Sequence, residues 1–356
     1  MINSINVGGN MVFKNMEIHN VAEIIHNDDG SVSLCRVPSN VFEKIESEQG
    51  KKMAKRTTGV ELRFVIKGDS VKIKMSAEKD SGELLHTFHV FRGSIQGEWE
   101  DHEIQKLVGE DPKEFVIKKS SNIKNLKIIT EKSGFAFQPE VIRVIFDRGA
   151  YRLYDVLGEI EPPKREQCPQ KTLLSYGSSI THGSNSIDSS HSWVSLLAHK
   201  LGMDARNLGM AGSCLLEKEM ADYIAAEGEN GKWDIATLEL GINAVLWEED
   251  KIRERSEYFI KTVAEKNPEK PIFVISPFYY CGDSFDENHP GDNWRRVLKE
   301  IVEKLGFLNV VYFNGIEILD DMKYMSADEV HPNIIGVQKI ADTLTKKIKK
   351  TLKERN

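Results

Sequence analysis

Four short stretches of the chain carry the residue types of acyl transfer. They are Gly177-Ser178-Ser179-Ile180-Thr181-His182-Gly183, Asn207-Leu208-Gly209-Met210-Ala211-Gly212, Gly241-Ile242-Asn243 and Asp328-Glu329-Val330-His331-Pro332. A serine hydroxyl is a weak nucleophile until an imidazole takes its proton, and the imidazole needs a carboxylate or carbonyl to hold its tautomer. His331 and Asp328 can fill both roles from one turn. The tetrahedral intermediate of acyl transfer needs about two or three fixed donors around its oxyanion, and losing one costs about 10²–10³ in rate. The backbone N–H groups of Ser179 and Gly209 and the amide of Asn243 fit that need, and glycine at 209 lets the backbone approach a substrate closely.

These residues need a scaffold that brings them together. From Thr172 onward, short apolar runs alternate with longer helical patterns, which is the signature of a parallel sheet with helices on both faces. The expected strands are Thr172–Tyr176, Asp204–Leu208, Asp234–Leu240, Pro271–Ser276 and Asn309–Phe313. The expected helices are Ser190–Leu201, Leu215–Ala226, Glu249–Lys266, Asp292–Leu305 and Asn333–Lys353. In an open parallel sheet, ligands bind outside the carboxyl ends of the strands, and three of the four stretches directly follow strands while the last precedes the final helix. They therefore converge on one edge.

Before that region the periodicity is mostly two, as in Val71, Ile73 and Met75 alternating with Lys72 and Lys74, so the first part reads as an all-β, jelly-roll-like sandwich. Further strands are expected at Val60–Lys67, Leu84–Arg92, Glu114–Lys118, Leu126–Thr130 and Glu140–Asp147, with a short helix within Ser39–Lys55. The proline-rich stretch after Gly158 resists both helix and sheet. The reading is thus a β-sandwich domain over 1–158, a linker over 159–171 and a three-layer α/β/α domain over 172–356.

The residues resemble the SGNH, or GDSL-type, hydrolases, named for Ser, Gly, Asn and His on four sequence blocks. Gly177-Ser178-Ser179-Ile180-Thr181 matches the family's first block and makes Ser179, not Ser178, the nucleophile. Asn207 with Gly209, Gly241-Ile242-Asn243, and Asp328 through Pro332 match the other three. Ser178 and Ala244 stand where the family usually has Asp; the mechanism needs neither position, and the departures suggest a subgroup. The wording around Ser179 and Gly209 looks like bidomain members with a β-sandwich ahead of the hydrolase domain. Those relatives include esterases and acyltransferases acting on carbohydrate or other hydroxylated compounds.

Plainer readings compete at each position. Ser179 can be a turn serine, and His331 a helix-start histidine with Asp328 as cap. Asn243 and Gly209 can be turn formers. His86 and His89 invite a metal reading, but an i, i+3 pair on a strand points to opposite faces. His182 reads as a helix-start histidine near the pocket rim. Neither dinucleotide nor Walker-type glycine patterns are present. Trp247, Tyr279 and Tyr280 follow strand ends and can form a sugar or acyl pocket, with packing as the alternative. The terminal lysines suit a helix C-terminus.

Composition narrows the classes further. With 48 basic and 55 acidic residues the formal charge is −7, and no basic face suggests nucleic acid. No apolar run approaches the roughly 18 residues of a membrane span, and the first residues do not resemble a signal peptide. Cys35, Cys168, Cys214 and Cys281 form no CxxC pair, so reduced thiols and a cytoplasmic location are expected. The expected function is a serine esterase working without cofactor or metal through an acyl-enzyme, on a small-molecule or saccharide ester such as an acetylated carbohydrate. An acyltransferase with the same site is the nearest rival. A non-catalytic carbohydrate-binding protein is the second.

Overall fold

The computed structural model describes residues 4–5, 11–79, 86–97 and 105–355. It contains two compact units, one of Met1–Pro38, Lys55–Gln170 and Gly202–Asp204, the other of Ser39–Ala54, Lys171–Leu201 and Ala205–Asn356.

The first unit begins with β1 (Ser4–Ile5), β2 (Met11–Phe13), β3 (Met16–His19), β4 (Glu23–His26) and β5 (Val32–Cys35). Then come α1 (Ser39–Phe42) and α2 (Glu48–Ala54), which cluster with the second unit although the sequence leaves them among strands. The β region resumes with β6 (Glu61–Ile66), β7 (Ser70–Ala77), β8 (His86–Arg92), β9 (Ile95–Gln96), β10 (Gln105–Val108) and β11 (Lys113–Lys118). It closes with α3 (Ile123–Ser133), β12 (Val141–Phe146), β13 (Tyr151–Leu157) and β14 (Ile160–Glu161).

These strands build two antiparallel sheets. One runs β1-β2-β3-β6-β12-β8-β10, with β14 and β9 joined to β6 and β8; the other runs β11-β7-β13-β5-β4. The alternation expected on β7 is present: Val71, Ile73 and Met75 are buried, Lys72 and Lys74 exposed. Their apolar faces meet Leu62, Phe64, Phe88, Val90 and Val144 in one core, the pattern of a sandwich. Of the strand expected at Leu84–Arg92, Leu84 and Leu85 lie outside the described residues.

Two local expectations are corrected. Leu126–Thr130 lies in helix α3, not in a strand. Ile123, Leu126 and Thr130 recur at helical spacing on its less exposed face, and Gly134 ends it in the left-handed region at φ 62°. The apolar run misled because Ile128 and Ile129 are exposed. Within 159–171, β14 pairs with β6, Ile160 opposite Ile66, and Arg165–Gln167 forms a 3₁₀ turn. The residue before a proline is biased to extended backbone, so Glu161 can join a ladder that Pro162 ends.

The second unit holds the parallel strands β15 (Thr172–Gly177), β16 (Asp204–Gly209, whose first residue clusters with the first unit), β17 (Ile235–Glu239), β18 (Ile272–Ile275) and β19 (Val310–Phe313), in the order β16-β15-β17-β18-β19. Every residue of β17 and β18 is buried, as expected for strands covered on both faces. The helices are α4 (Ser179–His182), α5 (Trp193–Leu201), α6 (Lys218–Glu229), α7 (Glu249–Lys266), α8 (Cys281–Phe285), α9 (Pro290–Leu305) and α10 (Ile334–Arg355). α5 packs on α10, while α6 packs on α7 and α7 on α9, which gives the two helical layers of an α/β/α fold. The winding reverses between β15 and β17, and ligand crevices form at such a switch point.

Candidate active site

β15 ends at Gly177, and Ser178 caps the turn that follows, its Oγ accepting the Ile180 N–H at 3.1 Å. Ser179 opens α4, a helix of only four residues, so its backbone N–H belongs to the unpaired donors of a helix start. Its Oγ lies 2.8 Å from His331 Nε2.

His331 is held by its own turn. Asp328 Oδ1 accepts the N–H groups of Val330 at 3.1 Å and His331 at 2.9 Å, with Glu329 left-handed at φ 63°. Asp328 Oδ2 lies 2.9 Å from His331 Nδ1 and accepts Asn185 Nδ2 at 2.6 Å. Partial burial alone would raise the Asp328 pKa, but the two backbone N–H groups and the imidazole outweigh it and hold the carboxyl at about 2. Ser179, which the family resemblance singles out as the nucleophile, and His331 and Asp328, which share one turn in the sequence, are thus in one hydrogen-bonded line. Asn185 was not foreseen, since nothing in its spacing distinguishes it from a loop residue.

Asn243 follows β17, and its Oδ1 accepts the Cys214 N–H at 3.1 Å. A backbone N–H can only donate, so this contact fixes which end of the amide is oxygen and leaves Nδ2 as the outward donor. Gly209 differs from expectation in two respects. Its N–H donates to Asn207 Oδ1 at 2.8 Å, and an added Cβ would lie 2.2 Å from the His182 backbone nitrogen. The missing side chain therefore admits the backbone of α4, not a substrate. Asn207 also donates from Nδ2 to Thr181 O at 2.8 Å, so it joins the end of β16 to α4.

His182 is buried at the end of α4 and does not stand on a rim. Trp247 lines a shallow recess of about 610 Å³ with Leu246 and several charged residues, and Lys251 Nζ sits 4.2 Å from its ring centroid. Tyr279 is half-buried, with its hydroxyl 3.1 Å from Ser284 Oγ. Tyr280, expected in a pocket, is instead buried against Gly282 and Gly291, glycines that leave room for its ring. His86 and His89 are both buried on β8. Among the described residues, no group of three His, Cys, Asp or Glu is placed to hold a metal ion, and no helix is long and apolar enough to cross a membrane.

A second residue was missed. Glu239 ends β17, fully buried, and its Oε2 accepts Ser178 N at 2.8 Å, Ser178 Oγ at 2.7 Å and Thr181 Oγ1 at 3.0 Å. Burial pushes its pKa up to about 7 despite these donors. The signal was legible: a lone acid inside the apolar run Leu238-Glu239-Leu240 of a buried strand needs partners.

Residues 170–349, just over half of the chain, match the GDSL-like lipase/acylhydrolase family. The chain belongs to that family. The resemblance read from its four blocks is borne out, and the GDSL-like lipase/acylhydrolase fold accounts for the parallel sheet and its helices. No curated protein sequence matches the chain. Among solved structures, it is similar to the salicylyl acyltransferase of a tetracycline biosynthetic pathway, at 17% identity and TM-score 0.74, with 93% of each chain covered. A protein described as a GDSL-like lipase from Bacteroides ovatus matches at 18% identity and TM-score 0.67, covering 90% of this chain and 92% of that one. A family two carbohydrate esterase from Cellvibrio japonicus matches at 12% identity and TM-score 0.66, covering 100% and 98%. These likenesses extend over both units and show the fold.

Proposed function

We propose that this family member is a serine esterase. The observation that carries the reading is the line Ser179 Oγ, His331 Nε2 at 2.8 Å, and His331 Nδ1 to Asp328 Oδ2 at 2.9 Å. Ser179 attacks the ester carbonyl while His331 takes its proton, then returns it to the leaving alcohol; water repeats the cycle on the acyl-enzyme. Asp328, ionised far below neutral pH, holds the Nδ1–H tautomer. The Ser179 N–H and Asn243 Nδ2 receive the oxyanion, and Gly209 joins them by sharing the N–H it gives to Asn207.

The proposed substrate is a small acyl group, such as acetyl, on a carbohydrate or other hydroxylated compound. Trp247 and Tyr279 are proposed to face it. Support comes from the name of the Cellvibrio japonicus neighbour, a carbohydrate esterase. A second reading, acyl transfer to a bound hydroxyl, is favoured by the salicylyl acyltransferase neighbour. A cytoplasmic site of action goes with the reading, supported by four unpaired cysteines, three of them buried.

A fluorophosphonate should form an adduct mapped by peptide mass to Ser179, and acetylated sugars should be deacetylated in preference to long-chain esters. An adduct on Ser178, or none, would sink the assignment. Acylated product in the presence of an acceptor alcohol would favour the transferase reading.

A further inference from the structure

Helices are costly to nucleate, and α4, with four residues, cannot hold itself by its own hydrogen bonds. Yet Ser179 must keep its Oγ on His331. What fixes the turn comes from the neighbouring strand. The Glu239 carboxyl binds the residues on either side of the nucleophile, Ser178 through both its N–H and its hydroxyl and Thr181 through its hydroxyl. Because the Ser178 hydroxyl hydrogen is given to Glu239, its lone pair faces the Ile180 N–H, which it accepts at 3.1 Å. Gly177 makes this approach possible: a Cβ there would lie 2.2 Å from Thr181 Oγ1 and 2.6 Å from Glu239 Oε2.

The far side of Glu239 is tied to the other half of the site. Its carbonyl oxygen accepts the Cys214 thiol at 3.7 Å, and Cys214 gives its N–H to Asn243 Oδ1 at 3.1 Å. One continuous set of bonds therefore runs from Ser178 through Glu239 and Cys214 to Asn243, across the switch point between β15 and β17.

We propose that Glu239 is a positioning residue, which sets the nucleophile turn relative to the Asn243 amide without touching the substrate. The proposal rests on the esterase reading of Ser179 and Asn243.

Because Oε1 makes no hydrogen bond among the described residues while Oε2 accepts three, the conservative E239Q variant can keep all three bonds through its single oxygen. The removal of the carboxyl in E239A releases the turn. Misplacement of a reacting group by about 1 Å can cost about 10²-fold, so E239A should lose roughly 30- to 100-fold in kcat and in the rate of fluorophosphonate labelling, with KM changed less than about threefold. E239Q should restore most of that loss, which a role in general packing would not predict for one substitution and not the other. Circular dichroism and a cooperative melt show whether E239A folds; if it does not, T181V removes one bond at nearly constant shape and should slow labelling severalfold.

E239A or T181V labelling at the wild-type rate, or a raised KM with unchanged kcat, overturns the proposal. Wild-type protein that neither labels nor turns over any ester overturns the esterase reading and the proposal with it, whereas labelled wild type beside equally labelled E239A overturns the proposal alone.

Discussion

Asn185 Nδ2 donates to Asp328 Oδ2 at 2.6 Å, and that same oxygen lies 2.9 Å from His331 Nδ1. Two donors on one carboxylate oxygen fix its direction, so Asn185 aligns the pair from the loop after α4. A hydrogen bond to a charged group contributes about 1.5–3 kcal/mol, and the partial exposure of Asp328 argues for the lower end. Asn185→Ala should therefore lower kcat about tenfold with KM nearly unchanged, measured on p-nitrophenyl acetate. A thousandfold loss would place Asn185 in the reaction itself.

Ser179→Ala and His331→Ala should be similarly damaging, since residues that act as a unit lose about 10³–10⁶ whichever is removed. Asp328→Asn separates orientation from charge. Its amide would keep Oδ1 on the two backbone N–H groups and turn NH₂ toward His331 Nδ1, while no carbonyl among the described residues stands in at Nδ1. The imidazole proton would move to Nε2, where Ser179 needs a lone pair, so kcat should fall by about 10³–10⁴. Loss within about tenfold would reject the assignment of Asp328 as the orienting group.

The Cys214 contact leaves Asn243 with a free donor end, and that donor is proposed to meet charge only as it develops. Asn243→Ala should lower kcat by about 10²–10³ with little change in KM. An elevated KM at constant kcat would move Asn243 to ground-state substrate binding.

Much of this arrangement is legible in sequence because it follows local rules. Most strands of the α/β unit read as apolar runs, and Glu249–Lys266 coincides with α7, whose periodicity runs from an acidic first turn at Glu249 and Asp250 to a basic last turn at Lys266. Strand-end and turn chemistry point to a serine after β15 and to His331 with Asp328, and the resemblance to the family's first block selects Ser179 over Ser178. The losses are of two kinds. Leu126–Thr130 reads as a strand because an exposed isoleucine pair imitates burial, which composition cannot distinguish. Gly209 and Asn185 depend on partners 27 and 143 residues away in sequence, His182 against Gly209 and Asp328 against Asn185, and spacing carries no trace of those; for Glu239 the apolar run shows that an acid needs partners but not that they are Ser178 and Thr181.

Two buried acids set a pH dependence of stability. Burial raises both Glu239 and Glu217 to about 7 from an ordinary value of 4.5. A carboxyl with a raised folded pKa stabilises the fold fully below its unfolded value and loses that contribution as pH rises through the folded one, here from 4.5 to about 7. Asp328 has the opposite sign, but its contribution is lost only as pH falls from 3.8 toward about 2, outside this window. The melting temperature should therefore decline between about pH 5 and pH 7.5, and E239Q and E217Q should each flatten the decline. A decline that neither substitution changes would assign it to other groups.

The last prediction concerns Ser39–Ala54, which lies far ahead of Thr172 in sequence yet belongs to the α/β unit. Within that unit Ser47 gives its N–H to Glu217 Oε1 at 3.3 Å, and Gln49 Nε2 reaches Ala211 O at 3.3 Å. Both contacts fall on the 211–217 loop, whose Cys214 N–H holds the Asn243 amide. Proteolysis within Glu159–Lys171 should yield a fragment from about Pro169 that carries all four sequence blocks but, once separated, lacks this support. We expect that fragment to melt lower than the full chain and to react more slowly with fluorophosphonate, and a peptide of residues 39–54 added in trans to recover part of both. Slow labelling that the peptide restores would trace the defect to the 211–217 loop. A fragment that melts and labels like the full chain would show that Ser39–Ala54 merely rests on a loop that stands without it.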